Sequence, residues 1–191
     1  MGASAPTTDD RDWARALARG EDEATCRFVQ SHSATGYAVA FQILEDEGAA
    51  EDVLQDAFFR AYQKAGTFRG EAKLSSWFYR IVYNLALNAL KQRSRKPTDR
   101  IKNPDLLAEQ EMLPSLEETL RAALGEIDPR DRLVLYLHYY EGYRMAEIGE
   151  ILNIREPAAK VRVHRARKRL KRRLERGNER PGKATEKASQ G

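Results

Sequence analysis

Apolar residues recur at intervals of three and four along most of the chain, a pattern that predicts amphipathic helices. The predicted helices cover residues 11–19, 22–44, 49–65, 75–92, 115–125, 129–141, 145–152 and a long stretch from 157 onwards. Between the predicted helices at 75–92 and 115–125, residues 94–114 contain Pro97, Pro104 and Pro114, which predicts a flexible linker. We therefore expect an all-α fold with two small helical domains, at 9–93 and 115–176, followed by a disordered tail at 177–191.

The helix predicted at 75–92, which Ser75 or Ser76 can cap, has an unusual polar side. Opposite its apolar face a helical wheel places one row, which consists of Trp77, Arg80, Asn84, Asn88 and Lys91. Asn costs roughly 0.5–0.7 kcal/mol relative to Ala in a helix, so helix formation does not explain two of them. Amides, an indole and cations can bond to base edges, stack on a base and contact phosphate. The alternative is a polar solvent face with a partly buried tryptophan.

The helix predicted at 49–65 carries an aromatic residue on its polar side. That side comprises Asp52, Gln55, Asp56, Phe59 and Gln63. An apolar ring between carboxylates, where no core can reach it, is typical of an anchor in a protein interface. The alternative is one exposed aromatic side chain, which is common on protein surfaces. The loop that follows contains Phe68, and it could either close over an unstacked base or simply connect two helices.

Two further expectations concern burial. In the helix predicted at 22–44 we expect Val29 among the buried residues, and Gly36 weakens the prediction of one continuous helix. In the helix predicted at 129–141, which Asp128 and Pro129 begin, we expect Leu133, Leu137 and Tyr140 to be buried.

Charge is arranged in alternating blocks along the chain. The formal net charge is +4, but residues 1–56 carry −8, 57–102 carry +9, 103–154 carry −7 and 155–176 carry +9. The two basic blocks indicate two surfaces that bind a polyanion. Each follows an acidic segment, which we expect to serve a different function.

The second basic block coincides with a predicted helix-turn-helix. The helices at 145–152 and from 157 are joined by a short turn at 153–156. The outer side of the second helix presents Lys160, Val161, His164, Arg165 and Lys168. Between 155 and 176 eleven cations face two carboxylates, too few for a salt-bridged surface helix. We expect the first turns to read bases and the later cations to contact phosphates.

Several classes of protein are disfavoured by what the sequence lacks. One cysteine, Cys26, excludes an internal disulfide framework, and no Cys/His spacing indicates a metal or cofactor site. No apolar run of membrane-spanning length and no secretory signal pattern occur, so we expect a cytoplasmic protein without membrane insertion. No carboxylate cluster or His pair stands near either basic block, so we expect no catalytic residues and no enzyme; a small nuclease is the alternative from that class.

Two stretches carry a family signature. AEDVLQDAFFRAYQKAGTFRG and LSSWFYRIVYNLALNALKQRSRK resemble sigma region 2, and LGEIDPRDRLVLYLHYYEGYRMAEIGEIL with VRVHRARKRLKRRL resembles sigma region 4. The chain thus resembles bacterial RNA polymerase sigma factors of the extracytoplasmic-function type in the sigma-70 family, which keep only these two regions. The resemblance implies a factor that binds core RNA polymerase and directs promoter-specific initiation of transcription.

The resemblance also implies residue roles. Docking on the clamp helices of the polymerase largest subunit falls to Asp52, Gln55, Asp56 and Phe59. Capture of flipped bases of the −10 element falls to Phe68, Trp77, Arg80, Asn84, Asn88 and Lys91. Contact with the −35 element falls to Lys160, Val161, His164, Arg165 and Lys168. The implied partners are core RNA polymerase, promoter DNA and a cognate anti-sigma factor, because family members are commonly held inactive by one.

The chain departs from the family pattern at the head of the recognition helix. In place of the usual Gly-Thr-Val run and a following hydroxyl residue it has Pro157, Ala158, Ala159 and Val161, and Arg144 replaces the usual Ser cap of the preceding helix. The resemblance therefore does not determine which −35 sequence this chain recognises. The alternative function is a helix-turn-helix transcription regulator that acts without docking to core polymerase and would need neither the Phe59 surface nor the Asn84 and Asn88 row.

Overall fold

The computed structural model describes residues 8–95 and 115–178, which contain helices and no strand. The α-helices are α1 (Thr8–Ala18), α2 (Asp22–Leu44), α3 (Glu47–Lys64), α4 (Leu74–Arg95), α5 (Leu116–Gly125), α6 (Pro129–Leu135), α7 (Met145–Leu152) and α8 (Glu156–Asn178). The all-α prediction is confirmed. The predicted linker and tail lie outside the described residues, apart from their first two residues, which extend α4 and α8.

Local side chains cap the start of three of these helices, α3, α5 and α6. The Asp46 carboxylate accepts from the Ala49 amide at 2.8 Å, Ser115 and Glu118 form a reciprocal capping box, and Asp128 precedes Pro129 at the first helical position. The prediction that Ser75 or Ser76 caps α4 is wrong. That helix begins at Leu74, whose amide donates to a carboxylate oxygen of Asp10 on α1 at 3.3 Å.

In the N-terminal unit α2, α3 and α4 pack around the fully buried Phe78. Helix α2 is continuous through Gly36, where an added Cβ would lie 2.7 Å from Leu54 Cδ1 and 3.3 Å from Phe78 Cε1. Glycine is therefore needed at this position because α3 and α4 approach α2 closely. Val29, predicted to be buried, is exposed because its neighbour Phe28 takes the core position.

In the C-terminal unit α7 and α8 form the predicted helix-turn-helix. Asn153 ends α7 in the left-handed conformation, with φ of 54°, and the Ile154 amide donates to the Gly149 carbonyl at 2.8 Å. An added Cβ at Gly149 would lie 2.8 Å from the Ile154 carbonyl oxygen. The tight turn that sets α8 against α7 thus depends on the absence of a side chain at this position.

A π-helical turn, Tyr136–Tyr140, follows α6 and corrects one burial prediction. The Glu141 amide donates to the Tyr136 carbonyl, five residues back, at 3.1 Å. The extra residue in this turn shifts the helical register. Leu137 stays fully buried, whereas Tyr140, predicted to be buried, is 79% exposed.

The two units share one continuous apolar core. Helix α6 lies along α2, where the buried Arg132 donates to the Gln42 carbonyl at 2.9 Å and pairs with the Glu45 carboxylate. Helix α7 lies along α4. The C-terminal unit thus occupies the side of the N-terminal unit formed by α2 and α4, while the outer face of α3 lies elsewhere.

Candidate partner and nucleic-acid interfaces

The outer face of α3 presents an apolar ring among carboxylates. Phe59 is 63% exposed, and Asp52, Gln55 and Asp56, which surround it, are also exposed. The opposite face of this helix is held in the core by the fully buried Ala57 and its neighbours. Neither aspartate forms an ion pair with any residue that the structure describes. We call Asp52, Gln55, Asp56 and Phe59 the α3 surface. It consists of an exposed apolar ring surrounded by carboxylates that no described residue neutralises.

The sequence reasoning missed one neighbour of this surface. Tyr62 lies three residues after Phe59 and is 47% exposed, so the two rings are neighbours on one helical face. The helical spacing from Phe59 was a signal that could have identified it.

On α4 the polar row is only partly free. Asn84, Asn88 and Lys91 are exposed, as predicted. Arg80 is half-buried, and its Nε donates to the backbone carbonyl of Glu150 on α7 at 2.6 Å. The structure thus leaves the C-terminal half of the row open and covers its middle.

Trp77 is not an outward-facing residue. It is half-buried, and its ring meets that of Phe68, also half-buried, edge to face at 5.6 Å between centroids. The alternative of a partly buried tryptophan is therefore correct for this position. The contact closes the loop between α3 and α4 against the start of α4, so both rings must turn or separate before a base could stack on them.

A second contact joins the same loop to α7. Lys73, just before α4, pairs with Glu147, and their side chains are only 12% and 10% exposed. Glu147 also accepts from the Arg144 amide at 2.8 Å, which is the bond that a Glu at this position contributes to a capping box, while the bond that a Ser hydroxyl would accept from the first helical amides is absent at Arg144. Burial raises the pKa of the Glu150 carboxyl, and the nearby positive charges of Arg80 and Lys73 partly offset this by lowering it. Lys73 thus contacts the Glu147 carboxylate of α7, and Arg80 contacts the main chain of the same helix at Glu150.

On α8 the five predicted contact residues lie together on the exposed side. Val161 is 48% exposed, and His164, Arg165 and Lys168 are exposed beside it. Lys160 is exposed as well and pairs with Glu156 one turn earlier at 2.6 Å. A shallow depression lies next to this side and is lined in part by Pro157, Val161, Arg162 and Arg165.

Some cations of α8 have partners that helical spacing did not reveal. Arg169 pairs with the buried Asp131 of α6, and Arg173 pairs with Glu126 at 2.6 Å. These arginines fix α8 to the rest of its unit, because their carboxylates come from residues about 40 positions away in sequence. The prediction that the later cations of α8 suit phosphates therefore needs correction at these two positions, while Lys168 stays exposed.

The buried titratable groups belong to the core. His32 Nδ1 lies 3.0 Å from the Tyr79 hydroxyl, and burial lowers the pKa of His32 to about 4. Burial also raises the pKa of Tyr143, whose ring meets that of Tyr79 edge to face, to about 12. The imidazole and both phenols are therefore neutral near pH 7.

In the described parts of the chain, no group of three or more His, Cys, Asp or Glu side chains could hold a metal ion. None of the described helices is long and apolar enough to cross a membrane.

Comparison with known proteins gives a consistent result. The family model of sigma-70 region 2 matches residues 28–96, and that of sigma-70 region 4 matches residues 117–170. The RNA polymerase sigma-H factor of Pseudomonas aeruginosa is 30% identical over 183 residues, which cover 87% of this chain and 94% of that protein. The ECF RNA polymerase sigma factor SigW of Bacillus subtilis is 29% identical over 173 residues, which cover 82% and 91% of the two chains.

Two solved structures share the fold. CnrH in complex with the cytosolic domain of CnrY matches with a TM-score of 0.65 and 24% identity over 87% of this chain and 97% of that one. The sigma factor RpoE with the anti-sigma factor NepR from Bartonella quintana matches with a TM-score of 0.60 and 21% identity over 78% and 95%. Family models, relatives and fold therefore agree, and the chain belongs to the sigma-70 family of RNA polymerase sigma factors, in its extracytoplasmic-function (ECF) group.

Proposed function

We propose that this sigma factor holds core RNA polymerase through the α3 surface and reads promoter DNA through α4 and α8. As a sigma factor the chain binds core polymerase and directs it to promoters; the assignment of residues to these tasks is the proposal. The observation that carries it is Phe59, a largely exposed ring among carboxylates on a helix whose other face is fully buried.

The chemistry of the α3 surface suits a partner with basic helices. An exposed aromatic ring provides apolar contact area in an interface centre, and surrounding charges exclude water and set orientation. Asp52 and Asp56 add two negative charges that no described residue neutralises. Cationic side chains on the clamp helices of the largest subunit would complement them.

The α4 row suits a single strand of the −10 element. The amides of Asn84 and Asn88 can bond in pairs to the edge of adenine or of another unstacked base, and Lys91 can meet phosphate. Phe68 and Trp77 provide faces on which a flipped base could stack once their mutual contact opens. Melting then follows from capture of the unpaired base, and no catalytic group is required.

The α8 residues suit the major groove of a duplex −35 element. His164 and Arg165 can donate to base edges, the Val161 side chain can pack on a thymine methyl group, and Lys168 can contact phosphate. Because Pro157 and Ala158 carry no hydroxyl, the first turn contributes less hydrogen bonding than the family pattern would. We expect the base preference to rest on the second and third turns.

Control by an anti-sigma factor is part of the proposal. The RpoE structure names such a partner for that protein, and we expect a corresponding regulator for this chain. We propose no enzyme activity and no cofactor, and we place the protein in the cytoplasm, where its polymerase works.

Run-off transcription with purified core polymerase on a library of randomised promoters tests the function. We expect initiation from a subset of templates that share −10 and −35 motifs. A helix-turn-helix regulator without polymerase docking would bind such templates and initiate from none.

The docking claim is tested by the double variant Phe59→Ala with Asp56→Ala in co-purification with core polymerase. The matched control is Glu23→Ala with Val29→Ala, which removes one exposed carboxylate and one exposed apolar side chain from α2. We expect the first variant to lose core polymerase and the second to keep it, both with unchanged circular dichroism. Equal retention by both would refute the role of the α3 surface.

A further inference from the structure

We propose that α1 is part of the surface that reads the −10 element: Arg11 contacts a phosphate of the captured single strand, and Asp10 positions the loop that captures the base. This loop, residues 68–73 between α3 and α4, we call the −10 loop. The inference rests on the proposed role of the −10 loop and of α4. It gives a task to a helix that lies outside residues 28–96, which the region 2 model matches.

Helix α1 is fixed beside the −10 loop by its apolar side. Ala14 and Leu17 are buried in the core of the N-terminal unit, and α1 also packs on the 3₁₀ turn Ala65–Thr67, which leads into the loop. A Cβ added to Gly66 in this turn would lie 3.8 Å from the Ala18 Cβ of α1. The polar residues at the start of α1 are therefore held at a defined place next to the loop.

The carboxylate of Asp10 holds the end of the −10 loop. It is half-buried, and its Oδ2 accepts from the amide of Leu74, the first residue of α4, at 3.3 Å. The first amides of a helix have no partner within the helix, so an acceptor from another element stabilises the start of α4 at this residue. The bond therefore fixes where the loop ends and where the first turn of α4, which carries Trp77, begins.

The side chain of Arg11 lies across the middle of the −10 loop. Gly70 has a positive φ of 66°, and a Cβ added to it would lie 2.8 Å from Cγ and 3.1 Å from Cδ of Arg11. Glycine is needed here both for its left-handed conformation and because the Arg11 stem occupies the space of a side chain. Two consecutive residues of α1 thus hold the loop at Gly70 and at Leu74, on both sides of residues 71–73.

The guanidinium of Arg11 is available for a ligand. Arg11 is exposed and forms no ion pair with any carboxylate in the described ranges, whereas Arg15, one turn later, pairs with Asp12 at 3.1 Å. A guanidinium binds phosphate through several N–H donors at once. Phe68, on which a flipped base would stack, lies two residues before Gly70, so the backbone of that nucleotide passes close to Arg11.

The two residues therefore have different tasks. Arg11 adds one charge-assisted contact to the strand, and this contact weakens with salt. Asp10 touches no nucleotide and acts through the shape of the loop, because a loop that is already formed need not be ordered when the base is captured.

The experiment uses the holoenzyme, formed from the full-length chain and core polymerase. The probe is a fluorescein-labelled single strand that carries the −10 sequence of a template from which the wild-type holoenzyme initiates. Fluorescence anisotropy over a series of salt concentrations gives the Kd of the strand and its salt dependence. A separate titration of each variant with core polymerase shows whether docking is unchanged.

The first variant is Arg11→Gln. We expect about tenfold weaker strand binding at low salt, because one charge-assisted contact is lost. The plot of log K against log salt should become less steep by about 0.7, the value for one phosphate of a single strand. The matched control is Arg15→Gln, which removes the same charge from the same helix but from a guanidinium that already has a carboxylate partner. It should change neither quantity, and equal losses in both variants would overturn the contact.

The second variant is Asp10→Ala. We expect about threefold weaker strand binding with an unchanged salt dependence, because the lost hydrogen bond lies within the protein. Asp10→Asn should restore most of the affinity, since its amide oxygen can still accept from Leu74. The control for a general loss of stability is Asp46→Ala, which removes the cap of α3 and should keep wild-type strand binding. If Asp46→Ala weakened the strand as much, Asp10 would have no positioning role.

The outcomes separate this inference from the proposed function. Wild-type strand binding by Arg11→Gln overturns the phosphate contact, as does a loss that weaker core polymerase binding explains. Wild-type strand binding by Asp10→Ala overturns the positioning role. These results leave the proposed function intact if the wild-type holoenzyme initiates transcription and Asn84→Ala with Asn88→Ala weakens the strand. A wild-type holoenzyme that initiates from no template overturns the proposed function, and this inference with it.

Discussion

The outer faces of α3 and α4 are both polar rows with an aromatic residue, yet the fold treats them differently. On α3 the ring of Phe59 stands in solvent among carboxylates without partners in the described chain. On α4 the indole of Trp77 is packed against Phe68, and Arg80 is bonded to α7. The α3 surface is thus exposed in this structure, whereas the start and middle of the α4 row are covered by other residues of the chain.

The comparison predicts separation of function, which is the largest effect we expect. Phe59→Ala should weaken core polymerase binding by about 2–3 kcal/mol, roughly 30- to 150-fold in Kd, because truncation of an aromatic anchor costs that much. Asn84→Ala with Asn88→Ala should leave this affinity unchanged and reduce promoter opening. Fluorescence titration with core polymerase and permanganate footprinting of the melted strand measure the two effects. If both variants failed in the same assay, the division of labour between α3 and α4 would be wrong.

Acid should lower the free energy of unfolding through the buried His32, which packs against α4. The pKa of His32 is lowered to about 4 in the folded chain by burial, and it is about 6.5 in an unfolded chain. The unfolded state therefore binds more protons between these values, and stability falls as pH drops from about 6.5 to about 4, by about 2–3 kcal/mol in total. Urea unfolding at a series of pH values measures this loss.

The matched variants for this prediction are His32→Gln and His164→Gln. The first should flatten the part of the pH profile that His32 causes, and the second, at an exposed position, should retain it. Parallel profiles for wild type and His32→Gln would show that this histidine is not the source.

A change in the helix-turn-helix should destabilise the turn between α7 and α8 and leave the α3 surface unchanged. Gly149→Ala places a Cβ 2.8 Å from the Ile154 carbonyl oxygen, so we expect about 1–3 kcal/mol of destabilisation from overpacking despite the better helix propensity of Ala. Gly125→Ala, where no atom lies within 4 Å of the added Cβ, should be neutral or slightly stabilising. Thermal unfolding compares the two. A stable Gly149→Ala variant would show that the turn can relax.

The smallest expected effect concerns the start of α3. Asp46 caps this helix through the Ala49 amide and also pairs with Arg93 at 2.7 Å. Asp46→Ala should cost about 1 kcal/mol, and Asp46→Asn should cost less because its amide oxygen still caps. Core polymerase affinity should change little in either variant. Equal losses would assign the stability to the Arg93 pair and not to the cap.

Much of the fold could be predicted from sequence because its signals are local. Asp128 with Pro129 marks the start of α6, and regular apolar spacing marks α3, α4 and α8. The burial of Tyr140 was predicted wrongly because one π-helical turn changes the register, and no residue type announces such a turn. The start of α4 was missed because its capping carboxylate comes from Asp10, 64 residues earlier.

The same distinction applies to the candidate site. Exposure of Phe59, Asn84, Asn88 and Lys91 follows from helical periodicity alone. Burial of Trp77 and Arg80 does not, because it depends on Phe68 in a loop and on Glu150, 70 residues further on. Pairs such as Arg169 with Asp131 are likewise hidden from a helical wheel, which shows only the neighbours within one element.

The most direct test of this account measures run-off transcription by the Phe59→Ala with Asp56→Ala variant at limiting core polymerase. We predict that the variant loses transcription at a core polymerase concentration that supports the wild-type chain. A large excess of core polymerase should restore it, because the exposed residues of α4 and α8 are unchanged. If the variant transcribed as well as wild type at limiting core polymerase, the α3 surface would not be the docking site and the central claim would be contradicted.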